Sequence, residues 1–460
     1  VLRYFDIEFD EGAGFDDTDP RNAYGPYFQR QRVEIYHTYA KSLVERGLAY
    51  PCFCTEEELD KVRAKQEEDK VLTGYYGEYA TCRNLSYEEI EANIKAGKPY
   101  VLRLRSQGSP DKEITFVDAI KGEIKLPENI HDIVLLKKDG IPTYHFAHAI
   151  DDHLMRTTTV VRGGEWLASA PIHYELFHLL GFKMPAYAHT AHLMKFDEET
   201  GGKRKLSKRK DPELSLDYYR KDGYHPYTMK VYLLTLLNSN FEEWHEKFPD
   251  KDINEFPFSV EKMNQSGALF DKDKLHNICK NELSKLSEEE LYDFLYDWAR
   301  ENEPENVEKW FGDREKMLQI LRLYMGVGAK RRRKDLMYAK QIFELISYFF
   351  DGESAEEMDE FKLDEDMVSK ILKSYLAKYD HNDDNSVWFN KLKEIADEHG
   401  FASDMKAYKA NPENFKGNVS DIAEAVRIAV TGRANTPDLW TIVHIMGEEQ
   451  MTERIKKHIK

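Results

Sequence analysis

Residues 201–210 read Gly-Gly-Lys-Arg-Lys-Leu-Ser-Lys-Arg-Lys, six cations in ten positions of a chain whose net charge is -18. Lysines around Ser207, carried behind a Gly-Gly hinge, can close over a polyphosphate. There they would neutralise the charge that develops during phosphoryl or nucleotidyl transfer. The plainer alternative is a solvated basic loop or a localisation patch. Composition alone favours that alternative, and only the company the loop keeps can reverse it.

Three other groups of residues could carry chemistry. Pro142 to His153 gathers Tyr144, His145, His148, Asp151, Asp152 and His153. Read as a strand, it puts Tyr144, Phe146 and His148 on one face and His145 and Ala147 on the other, a lining for a small polar ligand. Read as a metal site, His145, His148, Asp151 and His153 would make a metal-dependent hydrolase. In Val160-Val161-Arg162-Gly163-Gly164-Glu165-Trp166, Arg162 leaves a strand at a Gly-Gly turn. It can grip a carboxylate bidentately, or form a structural ion pair with Asp151 or Asp152. Cys52, Cys54 and Cys82 form part of a zinc pattern. Tyr75, Glu78 or Tyr79 would have to complete it, because Asn84 stands where a C-x-H pair would place histidine; the alternative is buried thiols. Two look-alikes carry no chemistry: His444-Ile445-Met446-Gly447 reads as helix packing, and Phe15-Asp16-Asp17-Thr18-Asp19 as a surface insertion.

The elements that must position these residues change character along the chain. Its 460 residues suggest roughly three domains, and 41% hydrophobic against 33% charged composition suits ordinary soluble cores. No apolar run is long enough to span a membrane, and no signal-peptide pattern is present. Four cysteines fit a reducing cytosol rather than a disulfide scaffold. The chain opens on Val1, which suggests a fragment. Residues 31–47 read as a helix ended by Gly47, and Thr55/Glu58 and Ser86/Glu89 as capping boxes. Residues 100–105 read as a strand, 132–138 and 141–147 as a hairpin about Asp139-Gly140, and 158–162 as a buried strand. A helix follows from about Ser169 to Gly181. Beyond about residue 280 only helical stripes recur, at 291–298, 316–325, 336–349, 366–378, 420–430 and 438–445. A second basic cluster, Lys330 to Lys334, reads either as a solvated helix face or as a patch that docks a large anionic ligand.

In order, these pieces resemble the bacterial-type glutamyl-tRNA synthetases, which are class I aminoacyl-tRNA synthetases. The resemblance runs through Phe9–Gly12, Gly25–Arg30, Ala49–Thr55, Pro142–Ala147, Asp151–Met155 and Arg162–Leu167. It continues through Lys205-Leu206-Ser207-Lys208-Arg209, a variant of the K-M-S-K-S loop, to Gly267–Asp271 and Ala429–Arg433. It implies an α/β Rossmann-type catalytic domain with an α+β insertion and an all-α anticodon-binding region. The implied boundaries are a first Rossmann part at 1–48, an acceptor-stem insertion at 49–138 and a second Rossmann part at 139–195. The K-L-S-K-R loop and stem-contact domain would take 196–300, and helical anticodon binding 301–460.

The resemblance further implies ATP-dependent activation of L-glutamate and its transfer to the terminal adenosine of tRNA(Glu), with Mg²⁺ assisting. Lys205, Ser207, Lys208 and Arg209 would be catalytic. Tyr144, His148, Arg162 and Trp166 would hold glutamate, and Glu165 and Lys208 would serve ATP. Zn²⁺ would sit on Cys52, Cys54 and Cys82. The protein would be a cytoplasmic monomer away from membranes. Gly164 stands where the family commonly has an acidic residue. The family's H-I-G-H and E-D-T-D segments should precede Phe9 and are absent, which implies impaired adenylate formation or a tRNA-binding fragment or paralogue. The shortened relatives that glutamylate a tRNA base lack a helical third like this one.

Overall fold

The computed structural model describes residues 1–13, 21–197, 199–207, 209–350 and 358–460. The Phe15–Asp19 look-alike and Lys208 lie outside the described residues. The chain divides into two compact units. An α/β unit comprises Ile7–Leu206 and Leu233–Phe270, and a helical unit comprises Val1–Asp6, Ser207–Tyr232 and Asp271–Lys460.

In the α/β unit, Glu113–Asp118 (β3), Gly122–Pro127 (β4), Thr159–Gly163 (β6) and Ala186–Thr190 (β7) make a sheet ordered β4-β3-β7-β6. β3 and β6 both run parallel to β7, while β4 returns antiparallel to β3. Among the described residues β6 is therefore an edge strand, not the buried strand its apolar run predicts, and Thr159 and Val161 face solvent. A second sheet joins Ala49–Cys52 (β1), Val101–Leu104 (β2) and Val134–Leu136 (β5) in the order β1-β2-β5. A third joins Leu193–Phe196 (β8), Lys203–Lys205 (β9) and Ala268–Leu269 (β10), with β8 central.

The helices of this unit begin and end largely where local chemistry directs. Val33–Glu45 (α1) is followed by Gly47 at φ 71°. Thr55 and Ser86 make capping boxes for Glu56–Glu68 (α2) and Tyr87–Lys95 (α3). The Asp139-Gly140 turn forms as expected, with Gly140 at φ 77°. Its second arm does not continue as a strand: after a single Leu136–Pro142 bridge the chain becomes the helix Tyr144–Leu154 (α4). Pro142 has no N–H to extend the ladder. Phe146, Ala147 and Ile150 recur at helical spacing and pack with Tyr36, Leu43 and Phe177 of the core. Ala170–Leu180 (α5), with Pro171 in its first turn, stops at left-handed Gly181.

The helical unit realises each stripe read from the sequence. Ser287 and Glu290 form a capping box on Glu288–Asn302, whose Leu291, Leu295 and Trp298 are buried. One core joins these to Leu321, Ile342, Leu372, Ile422 and Val443. His444 lies in the helix Leu439–Met446, packed between Trp440 and His381, so the His444–Gly447 look-alike is packing. Lys330–Lys334 is a loop, not a helix face; Arg333 pairs with Asp335 and Lys334 donates to Asn281. Gly223 caps Leu216–Asp222 at φ 78°, and a Cβ there would lie 2.5 Å from Ala339 Cβ and 2.7 Å from Trp298 Nε1. Gly223→Ala is therefore expected to cost about 2–4 kcal/mol, through left-handed strain plus overpacking. Urea unfolding with an unchanged midpoint would contradict this packing.

Candidate active site

Three polar side chains leave the sheet at the C-terminal ends of its parallel strands, the usual place for a ligand in an open α/β sheet. Asp118 ends β3, and Arg162 and His189 are penultimate in β6 and β7. The register sets Arg162 directly beside His189. Asp118 is buried, and four N–H groups converge on its carboxylate. Oδ1 accepts from the backbone of Ile120 and Lys121 at 3.0 and 2.9 Å, and Oδ2 from the backbone of His189 at 3.0 Å. The imidazole Nδ1 of His189 lies 2.6 Å from Oδ2. Burial alone would raise the Asp118 pKa, but these bonds outweigh it and hold the carboxyl below its ordinary value.

Arg162 Nε donates to His189 Nε2 at 2.9 Å, and Nη1 lies 3.1 Å from His173 Nδ1. His173 Nε2 in turn lies 2.9 Å from His145 Nδ1. Nη2 donates to the Trp166 carbonyl at 3.4 Å, and the guanidinium sits 4.6 Å above the Tyr187 ring centre. Tyr187 hydroxyl is 2.7 Å from His148 Nε2. Asp152 Oδ2 lies 2.7 Å from His148 Nδ1, off the line of a hydrogen bond. Tyr144 and His148, one turn apart on α4, stack at 5.6 Å and 11°, and Trp166 lies 4.5 Å from Tyr144. The helix thus brings together the two residues that the strand reading also placed on one face, while Phe146 goes into the core.

Of the basic loop, Lys205 Nζ approaches Glu165 at 4.0 Å, and His192 Nδ1 approaches it at 3.3 Å. Leu206 is buried and donates its N–H to Leu193. In the helical unit Ser207 N–H donates to Asp211 at 2.7 Å, the N–H groups of Lys210 and Asp211 return to the Ser207 carbonyl, and Arg209 is exposed.

A family model described as tRNA synthetases class I (E and Q), catalytic domain, matches residues 2–277. An anticodon binding domain model matches residues 290–459. The chain belongs to this class I tRNA synthetase family. It is 52% identical to the glutamate–tRNA ligase of Acetivibrio thermocellus over 458 residues, covering 99% of this chain and 83% of that protein. It is 46% identical to the glutamate–tRNA ligase of Clostridium perfringens strain SM101, covering 100% and 83%. The crystal structure of a glutamate tRNA ligase from Elizabethkingia meningosepticum with its amino acid superposes with a TM-score of 0.73. That match has 25% identity and covers 99% of this chain and 87% of the other.

For this synthetase, the metal-dependent hydrolase reading is corrected. Among the described residues, Cys52, Cys54 and Cys82 alone converge as a group of three or more metal-ligating side chains. Asp151 is engaged by Arg32 at 2.9 Å and Tyr36 at 2.7 Å, and His153 stacks on Phe182 at 3.7 Å. Nor is Arg162 paired with Asp151 or Asp152; the side chains it bonds are His173 and His189, and its third partner is the Trp166 carbonyl. Asp118, His173, Tyr187 and His189 escaped the sequence reading. A titratable residue at the end of an apolar strand, as in Tyr187-Ala188-His189, was the available signal.

The three cysteine sulfurs lie within 4.8 Å of one another. Tyr75 hydroxyl is 3.3 Å from both Cys52 and Cys54 Sγ, whereas Tyr79 hydroxyl reaches Asp69. Three soft sulfur donors at this spacing suit three of the four positions of a zinc site, and the Tyr75 hydroxyl, which burial holds in its protonated form, is the oxygen beside them.

Burial, and then the neighbouring His148 and Arg162, push the His173 pKa down to about 2. His173 is thus neutral when folded but binds a proton below about pH 6.5 when unfolded. The unfolded state then holds more protons, so stability falls as pH drops from about 6.5 towards 2. The expected excess slope relative to His173→Leu is about 1.4 kcal/mol per pH unit. Parallel stability curves for the two proteins between pH 6.5 and 4 would show that His173 does not carry it.

Proposed function

We propose that this chain is a glutamate–tRNA ligase that activates L-glutamate with ATP and transfers it to the 3′ adenosine of tRNA(Glu). The observation that carries the reading is the guanidinium of Arg162 at the strand ends. Its three protein contacts leave two of five N–H donors, one on each terminal nitrogen, for a substrate carboxylate. Tyr144, His148 and Trp166 wall the same place. Lys205, with Ser207, Lys208 and Arg209, stabilises charge on the leaving pyrophosphate, and Glu165 holds Lys205 beside the nucleotide. Mg²⁺, when bound with ATP, neutralises phosphate charge.

The α2–α3 segment with the β1-β2-β5 sheet, within 49–138, serves the tRNA acceptor stem, between Rossmann parts at 1–48 and 139–195. Residues 196–300 carry the loop and stem contacts, and the helices of 301–460 the anticodon. The enzyme works as a cytoplasmic monomer; no helix among the described residues is long and apolar enough to cross a membrane. Cys52, Cys54 and Cys82, with Tyr75 beside them, would hold Zn²⁺, which would tie β1 to the loop that carries Cys82 in a structural role.

Arg162→Ala should weaken glutamate binding by about 100-fold or more, the loss of two charge-assisted hydrogen bonds. Titration calorimetry showing wild-type affinity would remove Arg162 from the substrate site. For the metal, purified protein should carry one zinc per chain by elemental analysis, and Cys82→Ala should lose it with a lower melting temperature. Protein purified without chelator and free of zinc would end that assignment.

A further inference from the structure

A guanidinium only donates, so whatever faces it must accept. His189 Nε2 receives Arg162 Nε–H at 2.9 Å and must be unprotonated; the ring proton is then on Nδ1, 2.6 Å from Asp118 Oδ2. Asp118 accepts from all sides and presents no donor that could allow the opposite tautomer. On the other flank, Arg162 Nη1 faces His173 Nδ1 at 3.1 Å, which must also accept. The proton of His173 is therefore on Nε2, directed at His145 Nδ1 2.9 Å away. Both rings are fully buried, so neither can turn to water instead.

From this one-way order of donors we infer that Asp118, His189 and His173 are positioning residues that fix the plane of Arg162 by holding two buried histidines in opposite neutral tautomers. The inference rests on the reading of Arg162 as the glutamate ligand. Asp118 orients His189, which grips Nε; His173 grips Nη1; Tyr187 supports the flat face from below. The guanidinium, on an edge strand with an exposed neighbour at Val161, would otherwise be free to rotate about its side chain. Neutral partners leave its full charge for the substrate carboxylate.

Two measurements test this. Histidine ¹⁵N shifts of the wild-type protein, assigned through neighbouring backbone resonances, should show Nδ1–H for His189 and Nε2–H for His173 at neutral pH. The reverse tautomer at either ring, or a charged imidazole, overturns the inference, and this needs no variant to fold. In calorimetric titration with L-glutamate, His189→Leu should bind about tenfold more weakly or worse. His189→Gln, whose Oε1 can accept from Arg162 Nε, should stay within about threefold of wild type. Equal losses for the two variants, or none for His189→Leu, would count against positioning, since a merely structural histidine would not be rescued by an acceptor. Arg162→Ala is titrated alongside. Unchanged glutamate affinity there overturns the substrate reading and the inference together. Loss there with wild-type binding by His189→Leu overturns the inference alone.

Discussion

The buried carboxylate of Asp118 is the constraint from which the site follows. An ionised group taken out of water is costly unless its oxygens are satisfied, and here four N–H donors satisfy them. Two of those donors belong to the turn after β3 and two to His189 on β7, so the carboxylate joins neighbouring parallel strands at their C-terminal ends. Once His189 Nδ1–H is committed to Asp118, only its Nε2 lone pair remains. The parallel register then delivers Arg162 of β6 to that lone pair. Strand order, register and one buried charge thus suffice to place the guanidinium.

The other wall is set by packing. Phe146 and Ile150 anchor α4 in the core with Tyr36 and Phe177. Their helical spacing leaves Tyr144 at the rim, and His148 one turn inward against Tyr187. Arg32 and Tyr36 hold Asp151 of the same helix, which pins α4 to the segment running from Arg32 into α1. The wall and the guanidinium are therefore supported by different means, an apolar core on one side and a chain of directed hydrogen bonds on the other.

What could be read without coordinates follows the same division. Features written within one turn of chain were legible: the capping boxes at Thr55, Ser86 and Ser287, the left-handed stops at Gly47 and Gly181, the turn at Gly140, and every helical stripe of the C-terminal unit. Tyr144, Arg162, Trp166 and the three cysteines could be named as candidates, because each sits in a motif dense with unusual residues, and the fold brings Tyr144, Arg162 and Trp166 together in one place and the cysteines in another. The strand reading of 141–147 failed because seven residues cannot separate an alternating pattern from the first turns of a helix once proline ends the ladder. The edge position of β6 was hidden because an apolar run does not say how many neighbours a strand has. Asp118, His173 and His189 were missed because their meaning is only mutual. Asp118 and His173 lie 71 and 16 residues before His189 in the chain, and each alone looks like an ordinary polar residue near an apolar segment.

The choice of partners for Arg162 has a consequence for charge. A carboxylate in direct contact would orient a guanidinium as well as an imidazole does, and more strongly. It would also cancel the positive charge that, on the proposed reading of Arg162, a substrate carboxylate needs to meet. Asp118 instead stands one imidazole away, so it governs the direction of the hydrogen bonds without neutralising the guanidinium at contact distance. His173 adds a second acceptor, and Tyr187 an aromatic face, neither with a negative charge of its own. Such an arrangement matters in a chain with a net charge of -18, where an anionic substrate meets a repulsive average field. Orientation by neutral acceptors keeps one cation fully charged, in one plane, at the ends of the parallel strands.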